Sequence, residues 1–270
     1  MSPPSNPPRL LTIAGSDSGG GAGIQADMKA FARAGAHGMT AITAITVQNT
    51  VEVSAVYALP PEAIIGQVRA VAEDIGVDAV KIGMLGSVAT IEAVLEALDS
   101  VGDAPVVLDP VMVAESGARL LEPDAEDALR TLLVPRVTVV TPNVAEARVL
   151  AELPDSDGAE ELARAVHALG PRAAVVTGGH RATATDTFFD GERIVELPGE
   201  RYADGASHGS GCTHSSTLAA ELAWGRGPLE AARRARQVAG EAVRDGLRGI
   251  GHGAGPVDVL GLERLRGAVS

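Results

Sequence analysis

The sequence contains few of the residues that mark secreted or nucleic-acid-binding proteins. Cys212 is its only cysteine, so no disulfide can form within the chain, and we expect a reducing, cytoplasmic location. Aromatic residues make up 2% of the chain, too few for a platform on which bases stack. The formal net charge is −13, whereas binding to nucleic acid requires a basic face. We therefore expect no nucleic-acid partner.

Long apolar segments are also missing. No run of about 18 apolar residues is present, so we expect no membrane partner. Residues 1–8 are rich in proline and lack the apolar segment of a signal peptide, which predicts a disordered tail. Residues 9–270 contain no obvious linker, and we interpret them as one domain. With 46% hydrophobic and 21% charged residues, the chain can bury a sizeable core.

Short apolar runs alternate with helical patterns along the chain. Residues 10–14 predict a buried strand, and residues 23–34 predict a helix because Ile24, Met28 and Phe31 recur at helical spacing. The same patterns predict strands at 40–47, 53–59, 78–82, 105–108, 137–141 and 173–177, helices at 60–75, 87–98, 124–133, 144–151, 159–169, 211–224 and 228–247, and a hairpin over 187–196 with a primed turn at Asp190-Gly191.

This alternation is typical of an α/β fold. Strands separated by helices of about 10–15 residues predict a mostly parallel central sheet with helices on both faces. In such sheets, ligands bind beyond the carboxyl ends of the strands. The segments that follow the predicted strands are therefore the candidate binding segments.

A glycine-rich loop over residues 15–27 joins the first predicted strand to the first predicted helix. Its glycines, beginning with Gly15, allow the backbone to approach a ligand closely, and the helix offers free N–H groups at its start. The loop is not a Walker A motif, because no Gly-Lys-Ser/Thr follows. A flexible turn is the alternative interpretation.

Residues 208–213 form a second glycine-containing segment, with the sequence His-Gly-Ser-Gly-Cys-Thr. This segment leads into a long apolar helix. Gly209 and Gly211, with Ser210 between them, allow consecutive amides to converge on an anion such as the γ-phosphate of ATP. Cys212 lies in the first helical turn, where the pKa of a thiol is commonly lowered, so it could accept a proton from a substrate hydroxyl. A buried structural cysteine is the alternative interpretation.

Polar side chains follow the other predicted strands. Asn143 and Glu146 lie on one helix face and suit Mg²⁺, directly or through water, although the same pair also predicts a helix capping box. Asp109 can reach a metal or a phosphate, and the amide of Gln48 can pair with the edge of a heterocycle; turn residues are the alternative for both.

The segment Thr177-Gly-Gly-His180 also follows a predicted strand, so it could line a nucleotide site, although His180 and His208 could equally be ordinary loop histidines. The spacing of the other histidines predicts no zinc site.

Taken together, these segments resemble the hydroxymethylpyrimidine/phosphomethylpyrimidine kinases of thiamine biosynthesis, within the ribokinase-like superfamily. The resemblance extends over residues 11–260. It implies a single-domain, ribokinase-like, three-layer sandwich that forms a homodimer. The strongest matches are residues 15–29, 42–50, 81–85, 108–112, 141–146 and 208–213.

The resemblance implies ATP-dependent phosphorylation of 4-amino-5-hydroxymethyl-2-methylpyrimidine, followed by phosphorylation of its monophosphate to the pyrophosphate. Gln48 would hydrogen-bond the aminopyrimidine ring, and Gly15, Asp27, Met84 and Val111 would line its pocket.

By the same resemblance, residues 209–212 would form an anion hole with Cys212 as the base. Asn143 and Glu146 would organise Mg²⁺ and the phosphates of ATP, and the ATP site would also include Asp109 and Thr177.

Three positions depart from the family pattern. Thr177 stands where many members have lysine, Thr46 replaces an apolar residue, and His214 stands where an apolar residue is commoner. The main alternative is a pyridoxine or pyridoxal kinase of the same superfamily, and a non-catalytic pyrimidine-binding protein is a further one. Residues 114–120, which include Gly117, are a candidate lid.

Overall fold

The computed structural model describes residues 6–179, 184–203 and 205–262. Within these residues, nine strands form one sheet. The strands are β1 (Arg9–Asp17), β2 (His37–Gln48), β3 (Val53–Ala58), β4 (Ala79–Ile82), β5 (Val106–Leu108), β6 (Val139–Val140), β7 (Ala173–Val176), β8 (Asp186–Phe189) and β9 (Ile194–Leu197).

The sheet has the strand order β3-β2-β1-β4-β5-β6-β7-β8-β9. The six central strands, from β2 to β7 in this order, run parallel, whereas β3, β8 and β9 pair antiparallel at the two edges. The short central strands are completely buried, because helices cover both faces of the sheet.

Helices cover the sheet in two layers. They are α1 (Gly23–Arg33), α2 (Pro61–Asp74), α3 (Val88–Leu98), α4 (Ala125–Ala128), α5 (Val144–Ala151), α6 (Ala159–His167), α7 (Ser210–Ala223) and α8 (Pro228–Arg244). Ile64 of α2, Ile91 of α3 and Leu162 of α6 belong to the core on one face. Phe31 of α1 and Leu218 of α7 belong to the core on the other. The predicted three-layer α/β sandwich is confirmed.

The parallel strands determine where a ligand can bind. Because β2, β1, β4, β5, β6 and β7 all point the same way, the segments after them meet at one edge of the sheet. None of the helices among the described residues is long and apolar enough to cross a membrane.

Three local predictions differ from the structure. The helix predicted over 124–133 is α-helical only in α4; it continues as a π-helical turn over Leu129–Leu133 and a 3₁₀ turn over Val134–Arg136. The prediction of a two-residue primed turn at Asp190-Gly191 is wrong. Phe189 pairs with Ile194, so the hairpin link comprises residues 190–193. The Asp190 carboxylate accepts the N–H groups of Glu192 and Arg193 within this link. The last helix ends at Arg244, three residues before the predicted end at Leu247.

The predicted tail over 1–8 is also shorter than expected. Pro8 is buried, and its carbonyl accepts the backbone N–H of His37 at 2.8 Å. The folded part of the chain therefore includes Pro8, while residues 1–5 lie outside the described residues.

Candidate functional site

The predicted site residues follow adjacent parallel strands at one edge of the sheet. Gln48 ends β2, Met84 lies just after β4, Asp109 follows β5, Asn143 follows β6 and Thr177 follows β7. This arrangement agrees with the prediction that binding segments lie beyond the carboxyl ends of the strands.

Asp17, the last residue of β1, organises the glycine-rich loop that follows. Its carboxylate accepts the backbone N–H groups of Gly19 (2.7 Å), Gly21 (3.0 Å) and Ala22 (2.8 Å). His208 Nε2 lies 3.0 Å from Asp17 Oδ2. Burial favours the neutral acid, but the hydrogen bonds from His208, Ala22 and Gly19 outweigh it and hold the pKa of Asp17 below its usual value.

Two helices begin at the same place in the site. The N-caps of α1 and α7 are Ala22 and Gly209, which have no side-chain oxygen that could cap a helix. Gly209 adopts a left-handed conformation with φ +87°, which favours glycine. A Cβ placed on Gly209 would lie 3.5 Å from the Cα of Ala22, so the two helix starts are adjacent, and the Gly23 N–H acts to lower the pKa of Cys212. Two positive helix ends therefore meet at Cys212.

The expected amide cluster differs in one respect. The backbone N–H of Ser210 donates to the carbonyl of Ser207 at 2.9 Å, so it serves a turn rather than a ligand. The amides of Gly211 and Cys212 lie in the first turn of α7, where they have no intrahelical acceptor. These two amides are the ones best placed to meet an anion.

A completely buried ion pair lies beneath Cys212. Lys81 Nζ is 2.9 Å from Asp27 Oδ1 and 3.1 Å from Asp27 Oδ2, and neither side chain is exposed. Thr12 and Ser216 donate their hydroxyls to the same carboxylate at 2.6 and 2.7 Å. Asp27, predicted to line the pyrimidine pocket, is thus held inside the protein by three side chains.

The thiol pKa of Cys212 is raised rather than lowered. Burial raises the pKa of Cys212 to about 12, and the carboxylates of Asp27 and Asp109 act in the same direction. Lys81 and the Gly23 N–H act against them without reversing the shift. The prediction of a lowered pKa is therefore wrong, because burial outweighs the helix start. The thiol is neutral near pH 7, which does not favour Cys212 as a base in the resting protein.

Asp109 lies beneath the first turn of α7. Ser215 Oγ donates to Asp109 Oδ2 at 3.0 Å, and a Cβ placed on Gly211 would lie 3.8 Å from the same oxygen. Burial raises the pKa of Asp109, although Lys81 and Ser215 oppose the shift.

Asn143 and Glu146 form the predicted capping box of α5. The Asn143 side chain accepts the N–H of Glu146 at 3.0 Å, and the Glu146 carboxylate accepts the N–H of Asn143 at 2.9 Å. Burial, together with the nearby charge of Asp109, raises the pKa of Glu146 to about 8. The capping interpretation is confirmed.

The residues expected on the nucleotide side lie together. Thr177 and Asn143 form a parallel bridge, and Thr177 donates its N–H to the carbonyl of Pro142 at 2.8 Å. Gly178 donates its N–H to Asp186 Oδ1 at 2.9 Å. His180, which was expected to extend this segment, lies outside the described residues.

On the opposite side of the site, Gln48 is connected to its neighbours. The Thr46 hydroxyl lies 3.1 Å from Gln48 Oε1 and 2.9 Å from the carbonyl of Ser16. Ser18 Oγ makes hydrogen bonds with both the backbone N–H and the carbonyl of Gln48, at 2.9 and 2.7 Å. Thr46, one of the departures from the family pattern, therefore orients the Gln48 side chain.

The remaining predicted pocket residues lie beside β1 and β5. A Cβ placed on Gly15 would lie 3.1 Å from Met84 Sδ, so these two residues lie against each other. Val111 is partly exposed two residues after Asp109, to whose carbonyl it donates its N–H at 2.8 Å. The candidate lid over 114–120 contacts the segment before α7, since Ser207 Oγ donates to Glu115 Oε1 at 2.7 Å.

His214, the third departure from the family pattern, is buried in α7. Its Nε2 lies 3.3 Å from Asp186 Oδ2, and Arg236 Nε lies 3.9 Å from the same oxygen. Both ring nitrogens of His214, Asp186 Oδ2 and Arg236 Nε are buried there without a hydrogen-bond partner among the described residues.

Three residues of the site had no predicted role. Lys81 could have been recognised, because a lysine inside the apolar run Ala79–Ile82 requires a buried partner. Asp17 and Ser215 gave no comparable signal, because their partners are distant in sequence.

No group of three or more His, Cys, Asp or Glu side chains within the described ranges is arranged to hold a metal ion. Asp109 and Glu146 can nevertheless contribute to a cation site, because Mg²⁺ in kinases binds through one or two carboxylates, water and the phosphates of the nucleotide. Burial raises the pKa of both groups, and the charge of Asp109 adds to the shift of Glu146, so a cation near Glu146 would favour both ionised carboxylates. The residues present therefore fit Mg²⁺.

The fold and the site define the class of the protein as a small-molecule kinase with a ribokinase-like fold. The pyridoxal kinase of Staphylococcus aureus in complex with ADP superposes with a TM-score of 0.88 at 32% identity, over 97% of this chain and 96% of that chain. The phosphomethylpyrimidine kinase of Clostridium difficile superposes with a TM-score of 0.77 at 38% identity, over 87% of this chain and 99% of that chain.

Sequence comparison defines the family within this class. The family model for phosphomethylpyrimidine kinase matches residues 17–258. The hydroxymethylpyrimidine/phosphomethylpyrimidine kinase of Streptomyces coelicolor is 45% identical over 259 residues, which cover 95% of this chain and 96% of that relative. The chain belongs to the phosphomethylpyrimidine kinase family.

Proposed function

We propose that this protein transfers the γ-phosphate of ATP to the hydroxymethyl group of 4-amino-5-hydroxymethyl-2-methylpyrimidine, and then a second phosphate to the monophosphate. The observation that carries the proposal is the meeting of two helix starts at Cys212, between the Gln48 side and the Asn143 side of one sheet edge. A phosphate in transfer between an acceptor and ATP requires positive charge at this position.

Gln48 supports the choice of acceptor. With its Oε1 near the Thr46 hydroxyl, its amide nitrogen is available to donate to a ring nitrogen of the pyrimidine. Met84 and Val111 supply apolar surface for the ring. Asp27 is completely buried, so it does not form part of the pocket wall. It acts on the site through its ion pair with Lys81.

Phosphoryl transfer requires positioning and charge stabilisation more than covalent chemistry. The Gly211 and Cys212 amides meet the charge on the transferred phosphate. Cys212 remains a neutral thiol beside the acceptor oxygen, and the proton that the hydroxyl loses passes to an oxygen of the transferred phosphate. In the second step the acceptor is itself an anion, and a neutral thiol avoids the repulsion that a carboxylate would introduce.

Mg²⁺ would be held by Asp109 and Glu146, directly or through water, with Asn143 fixing the Glu146 side chain. When bound, the ion neutralises charge on the phosphates of ATP. Thr177, bridged to Asn143, contributes a hydroxyl to the nucleotide side in place of a lysine.

A pyridoxal kinase is the second candidate, and the fold similarity to the Staphylococcus aureus enzyme favours it. Pyridoxal also has a hydroxymethyl group on a substituted aza-aromatic ring, so the same phosphate site serves both substrates. The two candidates differ in the acceptor that Gln48 must recognise.

The acceptor distinguishes these functions in one assay. ADP release from Mg-ATP is measured with hydroxymethylpyrimidine, its monophosphate, pyridoxine and ribose. Turnover of both pyrimidines supports the proposal, and turnover of pyridoxine alone supports the second candidate. Stabilisation by the pyrimidine without any turnover would instead indicate a pyrimidine-binding protein.

We further propose that the protein is a homodimer in the cytoplasm. The family resemblance supports dimerisation, and the edge hairpin of β2 and β3 supplies a surface. Ile45 and Tyr57 lie directly opposite each other and are 47% and 63% exposed, with Val47 beside them. An exposed apolar group of this kind on an edge strand is typical of an interface. Tyr57→Lys should convert the dimer to a monomer, as measured by light scattering.

A further inference from the structure

We propose that Asp17 and His208 are positioning residues that hold the β1–α1 loop against the start of α7, so that the acceptor side and the phosphate side of the site form one unit. This inference rests on the proposed function for its effect on turnover, but the contact itself can be tested without substrate.

The contact begins with the Asp17 carboxylate, which is 3% exposed. It accepts hydrogen bonds from three loop amides and from the His208 ring, whose Nε2 lies 3.0 Å from Asp17 Oδ2. The loop is thus wrapped around one charged group, and the only side chain on that group from a distant part of the described sequence is His208. Hydrogen bonds to an ionised, buried acceptor are stronger than neutral ones.

His208 is fixed on its other side as well. Its backbone N–H donates to the carbonyl of Gly255 at 3.3 Å, and its carbonyl accepts the N–H of Val257 at 3.1 Å. Its ring lies so close to Gly21 that any Cβ at that position would overlap it. Gly209 packs against the carbonyl of Gly21 in the same way. The segment that precedes Cys212 therefore rests directly on the loop.

The same loop also reaches the acceptor side. The hydroxyl of Ser18, the residue after Asp17, donates to the carbonyl of Gln48 and accepts its backbone N–H. A continuous set of contacts runs from Gln48 through Ser18 and Asp17 to His208, which is four residues before Cys212. A shift of the loop would move the acceptor relative to the phosphate.

Such a shift should reduce turnover more than nucleotide binding. Of the residues assigned to ATP, Asn143 and Thr177 lie after β6 and β7, where they are bridged to each other and not to the loop. Alignment of the acceptor oxygen with the phosphate does depend on it, and a misplacement of about 1 Å can cost about 100-fold in rate.

The test uses a matched pair of variants. In His208→Gln, the side-chain amide nitrogen can occupy the position of Nε2 and donate to Asp17. In His208→Asn, the shorter amide reaches only the position of Nδ1, so the bond is lost. We expect His208→Asn to lower kcat by about tenfold or more with the KM for ATP changed less than about twofold, and His208→Gln to stay within about threefold of the wild-type kcat.

A second readout needs no substrate. Cys212 is the only cysteine, so its rate of alkylation by iodoacetamide reports how far the start of α7 separates from the loop. We expect about tenfold faster alkylation in His208→Asn and an unchanged rate in His208→Gln. Asp17→Asn removes the charge and one acceptor oxygen, so it weakens the contact with His208 together with the loop amide bonds. It should behave like His208→Asn, and it replaces that variant if His208→Asn does not fold.

Two results would overturn the inference. The first is equal alkylation rates in all variants. The second is an equal loss of kcat in the Gln and Asn variants, which would assign to His208 a packing role alone. If the wild-type protein fails to phosphorylate the pyrimidine, the proposed function fails, but the alkylation rates still decide whether Asp17 and His208 hold the loop.

Discussion

Lys81 and Asp27 form an ion pair from which solvent is completely excluded, with Lys81 Nζ 2.9 Å from Asp27 Oδ1. Burial alone would lower the pKa of Lys81, but Asp27, Cys212 and Asp109 hold it above its usual value. The pair therefore places one positive and one negative charge inside the protein, and both act on the Cys212 thiol. Removing one partner leaves a buried charge without compensation.

Because the Lys81–Asp27 pair is completely buried, removing one partner should cause a large loss of stability. Lys81→Met should lower the free energy of unfolding by about 3–5 kcal/mol, because it leaves the buried Asp27 carboxylate unpaired. Urea unfolding measures the change. The control is Arg69→Met, which breaks an exposed pair with Glu96 and should cost less than about 1 kcal/mol. Equal losses in the two variants would show that the burial of the pair is unimportant.

Cys212 tests the importance of a neutral group beside an anionic acceptor. Cys212→Asp should slow phosphorylation of the monophosphate by at least about tenfold more than phosphorylation of the alcohol, because only the monophosphate repels a carboxylate. The control is Cys212→Asn, whose side chain has nearly the same shape as that of aspartate but no charge. It should slow the two steps to a similar extent. The two rates are measured separately by ADP release. A stronger effect of Cys212→Asp on the alcohol would contradict the argument.

Glu146 allows capping to be separated from cation binding. In Glu146→Gln the amide oxygen can still accept the Asn143 N–H, so α5 should remain capped. Since burial and Asp109 raise the pKa of Glu146 to about 8, removing the carboxylate should leave stability unchanged or slightly higher near pH 8.

The same variant should lose at least about tenfold in kcat and require more Mg²⁺ for half-maximal rate. Thermal unfolding and a Mg²⁺ titration of the rate are the two measurements. Full activity at low Mg²⁺ would leave Glu146 with the capping role alone.

The lowered pKa of Asp17 predicts how the free energy of unfolding depends on pH in the acidic range. Its pKa in the folded protein is below the unfolded value, so its contribution to stability is complete above about pH 4 and is lost as the pH falls through the folded pKa. The difference in unfolding free energy between the wild type and Asp17→Asn should therefore be largest above pH 4 and narrow below it. A difference that stays constant down to about pH 2 would mean that the charge of Asp17 contributes nothing.

The sequence was sufficient to predict the order of strands and helices, because buried strands such as Ala173–Val176 are continuous apolar runs and helices such as α1 show regular apolar spacing. The hairpin turn was predicted too short because the Asp190 side chain, rather than a primed backbone turn, closes the link. The π-helical turn at Leu129–Leu133 depends on packing, for which the sequence gives no local signal.

The location of the candidate site residues at one sheet edge could be predicted, whereas the electrostatics of the site could not. Glycine loops and strand-end polar residues are visible in sequence, and they do lie at one sheet edge. The direction of the Cys212 pKa shift was not visible, because a helix start is a local feature whereas Asp27, Asp109 and Lys81 come from distant parts of the chain. For the same reason, the contact between Asp17 and His208, 191 residues apart, could not be predicted.

The central claim is that one site phosphorylates the same molecule twice. The most direct measurement follows hydroxymethylpyrimidine and excess Mg-ATP by phosphorus NMR together with ADP release. We expect a monophosphate signal to rise and then fall as a diphosphate ester appears, with two ADP formed per pyrimidine. A reaction that stops at the monophosphate after one ADP, or that proceeds only with pyridoxine, would contradict it.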